Sequence, residues 1–375
     1  MKPLAVPTPA GASPAEAPGS CRRSGWTSPS AAVARGASLV LAIVTAATAA
    51  DGLPDTASER PLPPLLARME RVMGPLPGPR EAGDRVAPAF EVVSEERLPG
   101  YVRRKIRYLI EGDDGRGGDD HVPAWLLLPE APAGTASPAM LCLHQTNAVG
   151  KDEPAGIGGL PDLHYAHELA ARGYVCLVPD YPRFGEYRWA GELDGTGYAS
   201  GSMKAVWNNI RGVDLLQSLP GVDGGRIGVI GHSLGGHNAI FTAAFDQRLR
   251  AVVSSCGFTP FPDYYAGDLT GWTSRTYMPR IREVHRGDPA RMPFDFPEVI
   301  AALAPRGFFA SAPERDDNFA VAGVRRAFAE AAPAFRLRGV PDRLVLVTPD
   351  AAHTFPEAER RAAYDWLDRI LRSEP

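Results

Sequence analysis

The chain has 375 residues, of which 44% are hydrophobic and 22% charged, with a net charge of −4. That balance belongs to a globular protein with a sizeable core. No basic stripe is present to neutralise phosphates, so nucleic acid is not an expected partner. The four cysteines Cys21, Cys142, Cys176 and Cys256 have no CxxC spacing. This argues against a zinc or dithiol centre, and a chain this long needs no disulfide framework. Cys142, Cys176 and Cys256 lie in or beside apolar runs and read as buried thiols.

Residues 1–50 differ from the rest. Residues 1–36 are rich in Pro, Ala, Ser and Gly, and the short apolar stretch 38–50 follows Arg22, Arg23 and Arg35 and ends in small residues. This is the layout of a secretory signal cleaved near Ala50. It is short for a membrane span, which needs ~20 apolar residues. Export to the periplasm or exterior is therefore the expectation, with a cytoplasmic protein carrying a disordered tail as the alternative.

From about residue 60 onward the pattern predicts a single folded domain, 60–375. Residues 62–73 read as a short helix. Residues 90–93, 101–110 and 121–128 alternate or run apolar, and the turn-rich piece 112–120 suits an antiparallel entry to a sheet. After Gly134 the rhythm changes to strand, loop, helix. Strands are predicted at 140–143, 174–178, 226–230, 251–255, 307–311 and 344–347. Helices are predicted at 163–172, 234–244, 320–332 and 357–371, with an amphipathic stretch at 204–218. Such alternation implies a mostly parallel sheet covered on both faces. Residues 257–300 interrupt it with Phe258, Phe261, Tyr264, Tyr265, Trp272 and Tyr277. This insertion is expected either to cap a site, with Trp272 and Tyr277 as wall residues, or to pack its aromatics onto the sheet.

The strongest local motif is Gly231-His232-Ser233-Leu234-Gly235-Gly236, set between a buried strand and a helix. A Ser on such a sharp turn is pushed out at the C-terminal edge of the sheet, and the glycines let strand and helix pass closely. The competing reading is a Gly-rich strand-to-helix turn with an incidental Ser. A hydroxyl needs an adjacent base to become a nucleophile. In this strand-turn-helix context the order is Ser, acid, His. His237 lies one turn along the helix, His285 lies in the irregular insertion, and His353 follows the last strand on a short loop. His353 is the expected base. The acid is expected after strand 307–311, where Asp316 and Asp317 compete and Glu314 stands third. Either Asp317 or Asn318 would suit the cap of the following helix, which favours Asp316 as the acid. The expected oxyanion donors are the backbone amides of Leu234 and Gln145, with His144 ordering the Gln145 loop.

Across residues 120–372 the chain resembles the α/β-hydrolase superfamily. It looks most like its dienelactone-hydrolase-like, acetyl-xylan-esterase-like and prolyl-oligopeptidase-like branch. The resemblance rests on Leu141-Cys142-Leu143-His144-Gln145-Thr146, on Gly173-Tyr174-Val175-Cys176-Leu177-Val178-Pro179-Asp180-Tyr181, and on the Ser233 turn. The run Asp316-Asp317-Asn318 is similar to the acid segment of oligopeptidase-type catalytic domains, in which the first Asp belongs to the triad. Dienelactone hydrolases proper carry a Cys nucleophile where this chain has Ser233, and the chain lacks room for an oligopeptidase propeller. The resemblance implies an α/β-hydrolase fold. It also implies two-step acyl transfer by Ser233, His353 and Asp316 on a small-molecule or carbohydrate ester, without metal or organic cofactor. Peptidase activity ranks second, and a non-catalytic binding protein on the same scaffold third.

Overall fold

The computed structural model describes residues 63–111, 119–130, 134–189 and 197–372. The expected leader at 1–50 and its export signal lie outside the described residues. No helix among the described residues is long and apolar enough to cross a membrane.

Helix α1, Pro64–Met73, opens on a proline, whose missing amide would have no partner in a first turn anyway. It buries Met69, Val72 and Met73. Strands β1 (Phe90–Leu98), β2 (Tyr101–Glu111) and β3 (Asp120–Pro129) form an antiparallel entry. β1 runs five residues beyond the predicted end at 93, because Arg104 and Arg103 across the ladder bond Glu95 and Glu96 at 2.7 and 2.6 Å. The strands β4 (Ser137–Leu143), β5 (Val175–Pro179), β6 (Val222–His232), β7 (Leu249–Ser255), β8 (Gly307–Ser311) and β9 (Leu344–Val347) follow and pair in parallel. Together they make one nine-stranded sheet in the order β1-β2-β3-β5-β4-β6-β7-β8-β9.

β4, β5 and β8 are buried along their whole length, as continuous apolar strands covered on both faces must be. Helices α3 (Gly201–Ser218), α4 (Leu234–Phe245) and α7 (Val321–Leu337) pack on one face. α2 (Tyr165–Ala171) and α8 (Glu357–Leu371) pack on the other. α3 is not the amphipathic surface helix that its polar residues suggest, since it is buried on nearly every side. Arg85 bonds Asp214 at 3.0 Å from the N-terminal segment, and Arg275 accepts the Gly201 amide at 3.0 Å from the insertion. Lys204, fully buried, finds its counter-charge in Asp120 at 2.5 Å. α7 continues through Pro333, beyond the predicted stop at 332, because buried Phe335 anchors its last turn.

The insertion folds into short turns, α5 (Arg280–Glu283) and α6 (Phe296–Ala301). Phe258, Phe261, Trp272, Phe294 and Phe296 are buried and join the core that covers α4. One stretch instead reaches the loops at the sheet edge: Tyr277 and Thr146 share a hydrogen bond of 2.8 Å, and the Tyr181 hydroxyl donates to the Thr276 carbonyl at 2.7 Å.

The adjacent parallel strands β4 and β6 send their chains to opposite faces, β4 to α2 and β6 to α4. The loops diverge at this switch point, the place where open α/β sheets bind their ligands.

Candidate active site

Ser233 stands where β6 gives way to α4, with φ 51° and ψ −115°. A side chain in the left-handed region costs about 1–3 kcal/mol and persists only when its surroundings impose it. Here the Ser233 amide donates to the Ser255 carbonyl at 2.8 Å, while its own carbonyl accepts from Gly236 and His237 at 2.9 and 3.2 Å. The flanking glycines are obligatory. A Cβ on Gly231 would lie 2.2 Å from the Gly235 oxygen, and one on Gly235 would lie 2.0 Å from the Leu143 oxygen. The turn therefore closes only with this spacing.

The loop after β8 carries Asp316, whose side chain is 1% exposed, and the loop after β9 carries His353. The His353 Nδ1 lies 2.9 and 3.0 Å from the two Asp316 oxygens. Asp316 Oδ1 also accepts from the amides of Asn318 and Phe319 at 2.8 and 3.1 Å. The two loops are laced together by Glu314 N–H to Pro349 at 2.9 Å and Arg315 N–H to Ala351 at 3.0 Å. Burial alone would raise the Asp316 carboxyl. The His353 ring and the two amides outweigh it and hold that carboxyl below the ordinary carboxylate range.

Asp317 is exposed and Glu314 bonds Arg325 on the surface, so neither reaches His353. The expected helix cap is a correction: α7 begins after Ala320 with no side-chain cap, and neither Asp317 nor Asn318 serves there. Asp316 itself gathers the loose amides of this turn, two and three residues further on.

Behind His353 lies His232, its ring centroid 4.9 Å from that of His353 and its Nδ1 3.0 Å from the Ser255 hydroxyl. Burial, reinforced by His353, pushes its pKa down to about 3, so it stays neutral. Beside Asp316 lies Cys256, with φ 47° and a buried thiol that donates to the Thr354 carbonyl at 3.3 Å. Burial and then the Asp316 charge raise this thiol well above its usual range. The ligand-type atoms of Cys256, Asp316 and His353 fall within 4.8 Å of one another, which makes them the metal-capable cluster among the described residues. The thiol is buried, as the sequence suggests for it, Cys142 and Cys176. Its place next to the acid is not legible from the sequence.

The two expected oxyanion donors lie just past the carboxyl ends of the adjacent strands β6 and β4. Leu234 opens α4, where an amide has no intrahelical acceptor. Among the described residues neither the Leu234 nor the Gln145 amide donates to a backbone oxygen outside its own helix or strand. Gln145 is held from two sides, through its carbonyl and its side chain. Its carbonyl accepts the His144 Nδ1–H at 2.6 Å, and the His144 Nε2 accepts from the Tyr181 amide at 2.9 Å. Its side chain donates to Glu153 at 3.0 Å. His144 thus orders the loop as expected, and burial lowers its pKa so that the ring stays neutral. Glu153, buried, also takes Asn147 at 2.6 Å and the Leu160 amide at 3.0 Å. No motif in the sequence points to it.

His237 is buried against Trp272, with centroids 4.6 Å apart, and burial takes its pKa down to about 3. His285 bonds the Arg291 carbonyl within the insertion. The expectation for Trp272 needs correction: only 3% of it is exposed, and it packs against Phe261, Tyr264 and Phe296, so it offers almost no surface to a ligand. Tyr277 is half-buried and meets the Gln145 loop through Thr146.

A nine-stranded, mostly parallel sheet with a Ser elbow after one central strand and a His–Asp pair after the last two defines the α/β-hydrolase class. A sequence profile of the alpha/beta hydrolase family matches residues 154–373, more than half of the chain, and the protein belongs to that family. Among solved structures, a glucuronoyl esterase from Solibacter usitatus superposes with a TM-score of 0.62 at 18% identity, covering 81% of this chain and 90% of that one. The 4-O-methyl-glucuronoyl methylesterase of Hypocrea jecorina (strain QM6a) is 30% identical over 139 residues, 32% of this chain and 29% of that protein. Dipeptidyl-peptidase 5 of Porphyromonas gingivalis is 26% identical over 220 residues, 54% of this chain and 30% of that protein. The matches span at most 49% of the length of these curated relatives.

Proposed function

We propose that this protein is a serine ester hydrolase acting on small or carbohydrate esters through an acyl-enzyme. The observation that carries the reading is the buried Asp316 carboxylate, bonded through both oxygens to His353 Nδ1, on the same sheet edge as the strained Ser233. With Nδ1–H committed to Asp316, the lone pair of Nε2 is left to take the Ser233 proton as its oxygen attacks the ester carbonyl. The carbonyl oxygen becomes an anion, and the Leu234 and Gln145 amides stabilise it. His353⁺ then protonates the leaving alcohol. Water, deprotonated by the same ring, cleaves the acyl-enzyme and releases the acid. The names of the glucuronoyl esterase and methylesterase relatives support an ester, and a carbohydrate alcohol or acyl part, over other acyl groups. An export signal at 1–50 accords with a polymeric sugar substrate outside the cell.

The test is turnover of p-nitrophenyl acetate and of acetylated or methyl-esterified sugars by wild type and Ser233→Ala. Equal rates for the two proteins defeat the proposal. The partial match to a dipeptidyl-peptidase sustains a second reading, an oligopeptidase-type peptidase. Cleavage of aminoacyl p-nitroanilides with negligible ester turnover would put it first.

A further inference from the structure

We propose that Tyr265 is the platform of a sugar-binding subsite at the rim of the candidate active site, taking a pyranose ring of the ester substrate. This rests on the ester-hydrolase reading for its substrate class. It rests on the insertion for its geometry.

The aromatic side chains of the insertion are mostly buried, yet Tyr265 is 56% exposed. The backbone that presents it is strained. Tyr265 has φ 43° and ψ 45°, Ala266 has φ 55° and ψ 35°, and Gly267 follows at φ 94°. Glycine would serve this left-handed turn at all three positions, but two carry a Cβ and one carries a large ring. A ring half out in water recovers little packing for that strain. Outliers of this kind gather at ligand-contacting segments.

Its position ties it to the chemistry. The Tyr265 hydroxyl donates to Asn318 Oδ1 at 3.2 Å, the Asn318 amide donates to Asp316 Oδ1 at 2.8 Å, and Asp316 accepts from His353 at 2.9 Å. The ring therefore stands over the acid loop, three hydrogen bonds from the base. It is braced on one side. Tyr264 meets it edge-on at 4.8 Å and packs in turn on Trp272 and Phe319, and Phe319 lies 6.0 Å from His353. A rigid exposed aromatic is suited to the C–H face of a pyranose, which is apolar while the ring edge carries hydroxyls. One acceptor for those hydroxyls follows from the sequence, next to Asn318. Asp317 is exposed, and after burial its charge is the next contributor raising the Tyr265 phenol.

The experiment compares wild type, Tyr265→Ala and Tyr265→Phe on acetylated xylo-oligosaccharide and on p-nitrophenyl acetate. Binding of unesterified xylo-oligosaccharide to Ser233→Ala is measured with and without Tyr265→Ala. Tyr265→Ala should lower the ratio of kcat/KM for the sugar ester over the simple ester about tenfold, through KM, a size suited to losing one stacked ring. Tyr265→Phe keeps the platform and should recover most of that ratio. A ratio unchanged within twofold, or equal losses on both substrates, overturns the subsite. If wild type turns over neither ester, the ester-hydrolase reading fails by itself. The subsite then stands on oligosaccharide binding that disappears with Tyr265→Ala, and falls if there is no such binding.

Discussion

Replacing Asp316 by Asn removes the charge while keeping the shape, and the structure says where each atom of the amide would go. Both backbone donors, Asn318 N–H and Phe319 N–H, aim at Oδ1, so the amide oxygen takes that place. The NH2 group then occupies the Oδ2 place, 3.0 Å from His353 Nδ1. A donor there faces the Nδ1–H and favours the other tautomer, in which Nε2 carries the proton and cannot accept one from Ser233. The Oδ1 contact at 2.9 Å survives and restrains the loss. A full tautomer reversal in a triad of this kind lowers kcat by ~10⁴, so ~10³ is expected here, or ~4 kcal/mol in the barrier. The assay is kcat on p-nitrophenyl acetate, with the rate of fluorophosphonate labelling at Ser233 as an independent measure. Asp317→Asn is the control and should stay within about threefold of wild type on this ester, because Asp317 is exposed and p-nitrophenyl acetate carries no sugar hydroxyl for it to meet. A kcat for Asp316→Asn within tenfold of wild type, or a large loss in Asp317→Asn, would refute the assignment of the acid.

Glu153→Gln should reduce kcat ~10–100-fold with a smaller change in KM. It replaces one carboxylate oxygen by an NH2 donor facing the Gln145, Asn147 and Leu160 donors and so loosens the Gln145 loop. Unaltered kcat would show that the loop holds its amide without Glu153. Ala266→Gly should raise the melting temperature by ~2 °C: relief of ~1–2 kcal/mol of left-handed strain exceeds the added backbone entropy of glycine, ~0.4–1 kcal/mol. A lower melting temperature would mean the turn is unstrained. Asp295 accepts from Phe261 and Phe296 inside the insertion, and burial, then the nearby Asp263 and Glu298 charges, raise it to about 6 against those amides. Its folded form therefore binds a proton more tightly than the unfolded chain, so its ionisation above pH 6 opposes folding. The contribution of Asp295 should raise denaturant midpoints as the pH falls from about 6 toward 4, and Asp295→Asn should flatten that window. A wild type and variant with the same slope would remove Asp295 from the account.

What the sequence reveals here depends on whether the determining contact is local. The elbow is local: strand, turn and helix are consecutive, and Gly231 and Gly235 are required by backbone oxygens within four residues or on the neighbouring strand. Hence Ser233 and its flanks are readable from one stretch of chain. The pairing of Asp316 with His353 spans 37 residues, yet it follows from the order of strands, because β8 and β9 are neighbours and their loops must meet. Asp316 is favoured over Asp317 in the sequence by a helix cap and by the resemblance to the oligopeptidase acid segment, and the cap is the reason that fails. No side chain caps α7, and Asp316 wins because its own oxygen collects the amides of the turn while facing the ring. Trp272 shows the opposite limit. Aromatic composition says that a segment is apolar but not which ring ends inside, and that is settled by Phe261, Tyr264 and Phe296 closing around it. Tyr265, its near neighbour, is turned outward by two left-handed residues that have no sequence signature, because neither Tyr nor Ala favours that region. The backbone conformation of 265–266, rather than the residue types, therefore decides which aromatic of the insertion is offered to a ligand.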